Sequence, residues 1–152
     1  PVSKENLAIA KSWLASSDEY NLLVNGTAIT ACPVYYQNDL ALLRQSLRIV
    51  QAGTEVAEVK GKDLIPAHGL AMSRLLKTSV FPTEALTYEQ AIAYLRKEAI
   101  VLPPSVPKGY VLVTYKEIPL GFVKNIGNRA NNLYPQEWRI RSGYLPDDIR
   151  TL

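Results

Sequence analysis

Five basic residues, Lys116, Lys124, Arg129, Arg139 and Arg141, face only Glu117 and Glu137 across residues 116–141. The excess in that segment equals the net charge of the whole 152-residue chain, +3. Cations strung along a surface neutralise phosphates. In Trp138-Arg139-Ile140-Arg141 apolar and basic residues alternate. A strand is expected there, with Trp138 and Ile140 towards the core and both arginines on the opposite face. The run Asn125-Ile126-Gly127-Asn128-Arg129-Ala130-Asn131-Asn132 puts four side-chain amides in one loop, a kind of group that reads base edges or sugar hydroxyls. Tyr134 adds a ring on which an unpaired base can stack. The competing reading is a solvated basic face with an asparagine-rich turn, where Tyr134 and Trp138 belong to the core.

Catalysis finds fewer candidates. A serine or cysteine nucleophile needs a base, and His68 is the only imidazole. Cys32, the only cysteine, lies in an apolar segment beside Pro33 and reads as a small buried hydrophobe. One cysteine and one histidine exclude a disulfide framework, a cysteine cage and a poly-histidine zinc site. Asp147-Asp148 is the only pair of adjacent aspartates, and neighbouring residues diverge on either a helix or a strand. No glycine-rich phosphate loop follows a strand, so no nucleotide pocket can be argued on this chain. His68 itself reads as a packed histidine at a helix start, the alternative being a phosphate or sugar contact. The expectation is therefore no catalytic residue and no metal ligand.

The elements that must hold these residues are short. Ser3 can cap a helix over residues 3–16. Residues 20–24 and 27–32 flank Asn25-Gly26, a preferred hairpin turn. Asp39 can cap a short helix through Leu47. Strands are expected at 49–52 and 55–60, around Gly53. Pro66 suits the first turn of a helix running to Leu76. Thr87-Tyr88-Glu89-Gln90 is a capping box opening a helix to Lys97, with Ala91, Ile92 and Leu95 inward. Strands follow at 110–115 and 120–124. The prolines between Phe81 and Pro107 break the chain, and a soft boundary falls near residue 80. An α+β pair of small packed modules is expected, 1–80 and 81–152, the second closing into a small β-barrel. No apolar run approaches the roughly 18 residues a membrane span needs, and no secretion signal opens the chain, so a cytoplasmic protein is expected.

Several motifs are familiar. Gly53-Thr54-Glu55-Val56-Ala57-Glu58-Val59-Lys60-Gly61 and Ile65-Pro66-Ala67-His68-Gly69-Leu70-Ala71-Met72 resemble the first C-terminal module of Sun-family, RsmF-type ribosomal RNA cytosine-5 methyltransferases. Gly109-Tyr110-Val111-Leu112-Val113-Thr114-Tyr115, Pro119-Leu120-Gly121-Phe122-Val123-Lys124 and Asn132-Leu133-Tyr134-Pro135-Gln136-Glu137-Trp138-Arg139 resemble the PUA-like module after it. The likeness covers residues 45–141. It implies a PUA-like barrel for 81–152 and a catalytic domain upstream in the same polypeptide. That domain would bind S-adenosylmethionine and carry paired cysteines in Pro-Cys and Thr-Cys motifs. Cys32 precedes Pro33, the reverse order, so no catalytic residue carries over. The family's Lys-Asn-x-Tyr-Pro-Lys motif has Asn131 and Gln136 at its two lysine positions here, while Asn132, Tyr134 and Pro135 match.

Together these readings make the chain a non-catalytic region that binds ribosomal RNA and positions it for the upstream domain. The expected contacts are Lys124, Asn125, Arg129, Asn131, Asn132, Tyr134, Arg139 and Arg141, with Lys60 and Lys62 farther out. The alternative is an intramolecular docking and stability module with little RNA contact, offering an apolar patch around Trp13 and Leu14. A third reading, a hydrolase or transferase on His68, requires a deep pocket and a convergent carboxylate there.

Overall fold

The computed structural model describes residues 1–34 and 53–141. The helix expected from Asp39, the strand at 49–52 and Asp147-Asp148 lie outside the described residues. Helix α1 (Lys4–Ser12) opens on a capping box: the Ser3 hydroxyl accepts from the Asn6 N–H at 3.0 Å, and the Asn6 side chain accepts from the Ser3 N–H. The hairpin forms around Asn25-Gly26 as β1 (Tyr20–Asn25) and β2 (Ala28–Pro33), with Gly26 at φ +61°. β3 (Thr54–Lys60) and β4 (Asp63–Pro66) complete an antiparallel sheet of order β1-β2-β3-β4.

Pro66 does not start a helix. It ends β4, paired with Ala57, and the helix α2 is only His68–Met72. The missing N–H is tolerated because β4 is an edge strand of this sheet. Ala10, Trp13, Leu14, Ile29, Val56 and Leu70 form the first core. Trp13 and Leu14 are 7% and 4% exposed, so the apolar docking patch expected there is interior.

The second sheet has the order β5-β6-β7-β8 and stays open among the described residues, where a closed barrel was expected. β5 (Thr83–Ala85) runs parallel to β6 (Gly109–Tyr115); β7 (Ile118–Asn125) and β8 (Ala130–Asn132) continue antiparallel. Helix α3 (Tyr88–Leu95) opens on the capping box of Thr87 and Gln90. It buries Ala91 and Tyr94, while Ile92 and Leu95 are half-buried. Its end is a Schellman motif: Lys97 N–H reaches Tyr94 C=O, Glu98 N–H reaches Ala93 C=O, and Lys97 sits at φ +68°.

The strand expected at 138–141 is absent. Gln136–Trp138 is a 3₁₀ turn after Pro135, and Trp138 is 59% exposed. β8 takes the place beside β7, and the Ile140 N–H bonds Leu95 C=O instead of a ladder partner.

Opposed residues in an antiparallel ladder share a face, and successive residues along a strand change face. Leu112 and Phe122 therefore share one face of the second sheet with Tyr110, Lys124 and Asn131. Leu112 and Phe122 join the first core, where Phe81 stands 5.0 Å from Phe122 and 5.2 Å from Trp13. The other face, with Val111, Val113, Val123 and Ala130, packs with α3 and residues 100–106 as a second core. The two units are thus joined by an aromatic seam.

Candidate nucleic-acid interface

Two glycines set the seam. Gly69 in α2 runs against β3, where a Cβ would come 3.0 Å from Glu55 C=O. Gly121 in β7 sits at φ +151°, and a Cβ there would overlap the Tyr94 hydroxyl and stand 3.0 Å from His68 Nδ1. Helix α2 is thereby held between the two sheets. The Tyr94 hydroxyl donates to Phe122 C=O at 3.0 Å. Burial, and then Tyr134, push that phenol well above its ordinary range, so it stays a neutral donor.

His68 packs edge-on against Tyr134 and Trp138, each with centroids 5.3 Å away. Its Nδ1 is buried with no hydrogen-bond partner, and burial lowers its pKa. Among the described residues no carboxylate is hydrogen-bonded to the ring to orient it as a general base, although His68 lines an open cleft together with Glu55 and Glu137. The packed reading of His68 therefore fits the geometry, and the hydrolase reading does not.

The β3–β4 turn brings cations of the first unit to the second. Lys60 opposes Asp63 in register, with Gly61 and Lys62 between them. Lys124 Nζ donates to Asp63 Oδ2 at 2.9 Å, and this hydrogen bond raises the lysine pKa. Tyr110, Lys124 and Asn131 form a row across β6, β7 and β8, with Lys124 Nζ 5.6 Å from the Tyr110 ring centroid. Lys97, absent from the sequence reading, approaches from α3. Its ammonium donates to Asn132 C=O at 2.6 Å. Burial lowers its pKa first, then the neighbouring Lys60, against Glu137. Lys60, Lys97 and Lys124 so gather at the seam. Asp63 pairs with Lys124, and Glu58 stands 3.8 Å from Lys60.

Asn125 and Asn132 are not available to a ligand. They share the inner face of the sheet. The Asn125 amide donates to Val106 and Pro107 carbonyls at 3.2 and 3.0 Å, and its oxygen accepts from Gly127 N–H. Asn132 donates to Tyr94 and Glu98 carbonyls at 2.7 and 2.8 Å and accepts from Tyr134 N–H. Both hold loops in place. Tyr134 is half-buried between Tyr94 and His68. Arg129 is exposed between β7 and β8, Arg139 is half-buried and Arg141 exposed. With no strand at 138–141, the two arginines are not aligned by alternation.

An open cleft of about 920 Å³ lies beside the seam, between α2, β3 and the 3₁₀ turn. Lys60, Lys97, Glu55 and Glu137 line it, with Tyr134 and the exposed indole of Trp138. Burial, then repulsion from Glu58, raises the Glu55 pKa. Among the described residues, no group of three or more histidines, cysteines and acids could hold a metal ion, and no helix is long and apolar enough to cross a membrane.

The fold and seam define an α+β protein of two joined sheets, with its one imidazole packed between aromatic rings. Residues 81–140 match the family model of the methyltransferase RsmF PUA domain. Ribosomal RNA small subunit methyltransferase F of Enterobacter sp. (strain 638) is 31% identical over 99 residues, 65% of this chain and 20% of that protein. Its counterpart from Klebsiella pneumoniae (strain 342) is 28% identical over the same length and shares. The chain spans about a fifth of the length of these curated relatives. The matches bear out the resemblance to an RsmF-type C-terminal region, with residues 81–140 matching its PUA domain.

Proposed function

We propose that this chain binds ribosomal RNA and positions it for a catalytic domain elsewhere in the same polypeptide, one that methylates cytosine at carbon 5 with S-adenosylmethionine in the cytoplasm. The observation that carries this reading is the RsmF-type PUA match over 81–140 on a fold whose lysines from both units meet at one seam. Lys60, Lys62, Lys124 and Asn131 form the central contact, and Arg129, Arg139 and Arg141 reach phosphates farther along. Tyr134 supports the seam and lines its edge. S-adenosylmethionine would be bound by that catalytic domain.

The test is fluorescence anisotropy with a labelled fragment of small-subunit ribosomal RNA across a salt series. About six phosphate contacts give a slope of log K against log salt of roughly −4. Lys60→Ala with Lys62→Ala and Lys124→Ala should flatten the slope by about two. Affinity that is independent of salt, or unmoved by the triple variant, would remove this reading.

A further inference from the structure

The cleft beside the seam combines three chemistries that no single amino-acid side chain matches. First, Trp138 presents an indole that is 59% exposed, although His68 holds it edge-on at 5.3 Å. A large aromatic fixed in place yet left open is a stacking platform. Second, Glu55 and Glu137 line the cleft, and no described residue donates a hydrogen bond to either. Carboxylates are acceptors only and take two parallel N–H donors well. Third, two cations, Lys60 and Lys97, line the same cleft as Glu55, Glu58 and Glu137 and offer a phosphate a pair of ammonium partners. The cleft, about 920 Å³, lies within the size range of small-ligand sites.

We propose that this cleft takes one unpaired nucleotide of the RNA, guanine in preference to uracil, with the base stacked on Trp138, its N1–H and N2–H edge on Glu55 or Glu137, and its phosphate towards Lys60 and Lys97. An arginine from a protein ligand would satisfy the carboxylates and the indole but would meet two ammonium groups. Uracil offers a single imino donor. Guanine with its phosphate uses all three features. The inference rests on the RNA-binding reading and adds a base-specific pocket to it.

The test uses the whole 152-residue chain and the pentanucleotides UUGUU and UUUUU. Trp13 is buried, so quenching of tryptophan fluorescence reports Trp138. Saturable quenching by UUGUU, at about tenfold higher affinity than UUUUU, is expected from one base-edge pair. Glu55→Gln with Glu137→Gln should bring the two affinities together. Trp138→Ala should weaken UUGUU binding in anisotropy with the circular dichroism spectrum unchanged, and Lys62→Ala should weaken both oligonucleotides alike. Equal, salt-sensitive binding of the two oligonucleotides overturns the pocket and leaves the RNA-binding reading standing. So does a guanine preference that survives both the glutamate and the tryptophan variants, or binding of structured ribosomal RNA with neither oligonucleotide bound. No binding of any RNA overturns both.

Discussion

On the inner face of the second sheet, Asn125 and Asn132 give both amide donors and their oxygen to backbone groups of the protein. On the outer face, one residue away in each case, Lys124 and Asn131 meet the first unit and solvent. Residues of similar chemistry in one short segment thus do opposite work. The inner pair satisfies loops that would otherwise leave carbonyls unpaired beside a core, while on the other face Lys124 bridges to Asp63 of the first unit and Asn131 stays half-buried. A polar side chain's use is set by the face it takes.

Substitutions can break or sharpen that contrast. The largest effect is expected where both faces depend on one residue. Gly121→Ala would force a Cβ into the Tyr94 hydroxyl at a positive φ, and overpacking with left-handed strain should cost about 3 kcal/mol. A fall of roughly 10 °C in thermal midpoint by circular dichroism checks this. Asn132→Ala comes next, at about 2 kcal/mol, because carbonyls of Tyr94 and Glu98 lose their donor. Its RNA affinity, measured where the variant is folded, should match the parent. A stable variant with lost RNA affinity would reverse the assignment of the two faces.

Acid should act through the seam. Burial lowers the His68 pKa, so the unfolded chain takes up a proton first as pH falls. The histidine's contribution is therefore present above pH 6.5 and is lost as pH drops through that value. Urea midpoints at pH 7.5 and 5.5 should differ, and His68→Gln should reduce the difference. The raised pKa of Glu55 works in the opposite direction, since its folded form takes up the proton first. The smallest effect belongs to the outer face. Lys124→Ala should leave the midpoint nearly unchanged, because an exposed ion pair contributes little. It should still weaken RNA binding.

Local signals were well preserved in the sequence. Ser3 and Thr87 capped their helices, and Asn25-Gly26 turned the first hairpin, because each depends on groups within a few residues. Pro66 misled because a proline at a sheet edge and one at a helix start differ only in what lies alongside. The alternation at 138–141 misled for a similar reason: the edge beside β7 was already taken by Ala130–Asn132. Lys97 was not recognisable, since its position depends on a left-handed cap that glycine ordinarily fills.

By itself the sequence determined the α+β class and the family likeness, both of which follow from residue type and short-range spacing. Only the tertiary structure decided which polar residues meet. Lys60, Lys97 and Lys124 come from distant stretches, and Asp63 and Gly121 help bring them together through contacts between two sheets. No local pattern encodes that meeting, because it depends on how the two cores pack across the seam.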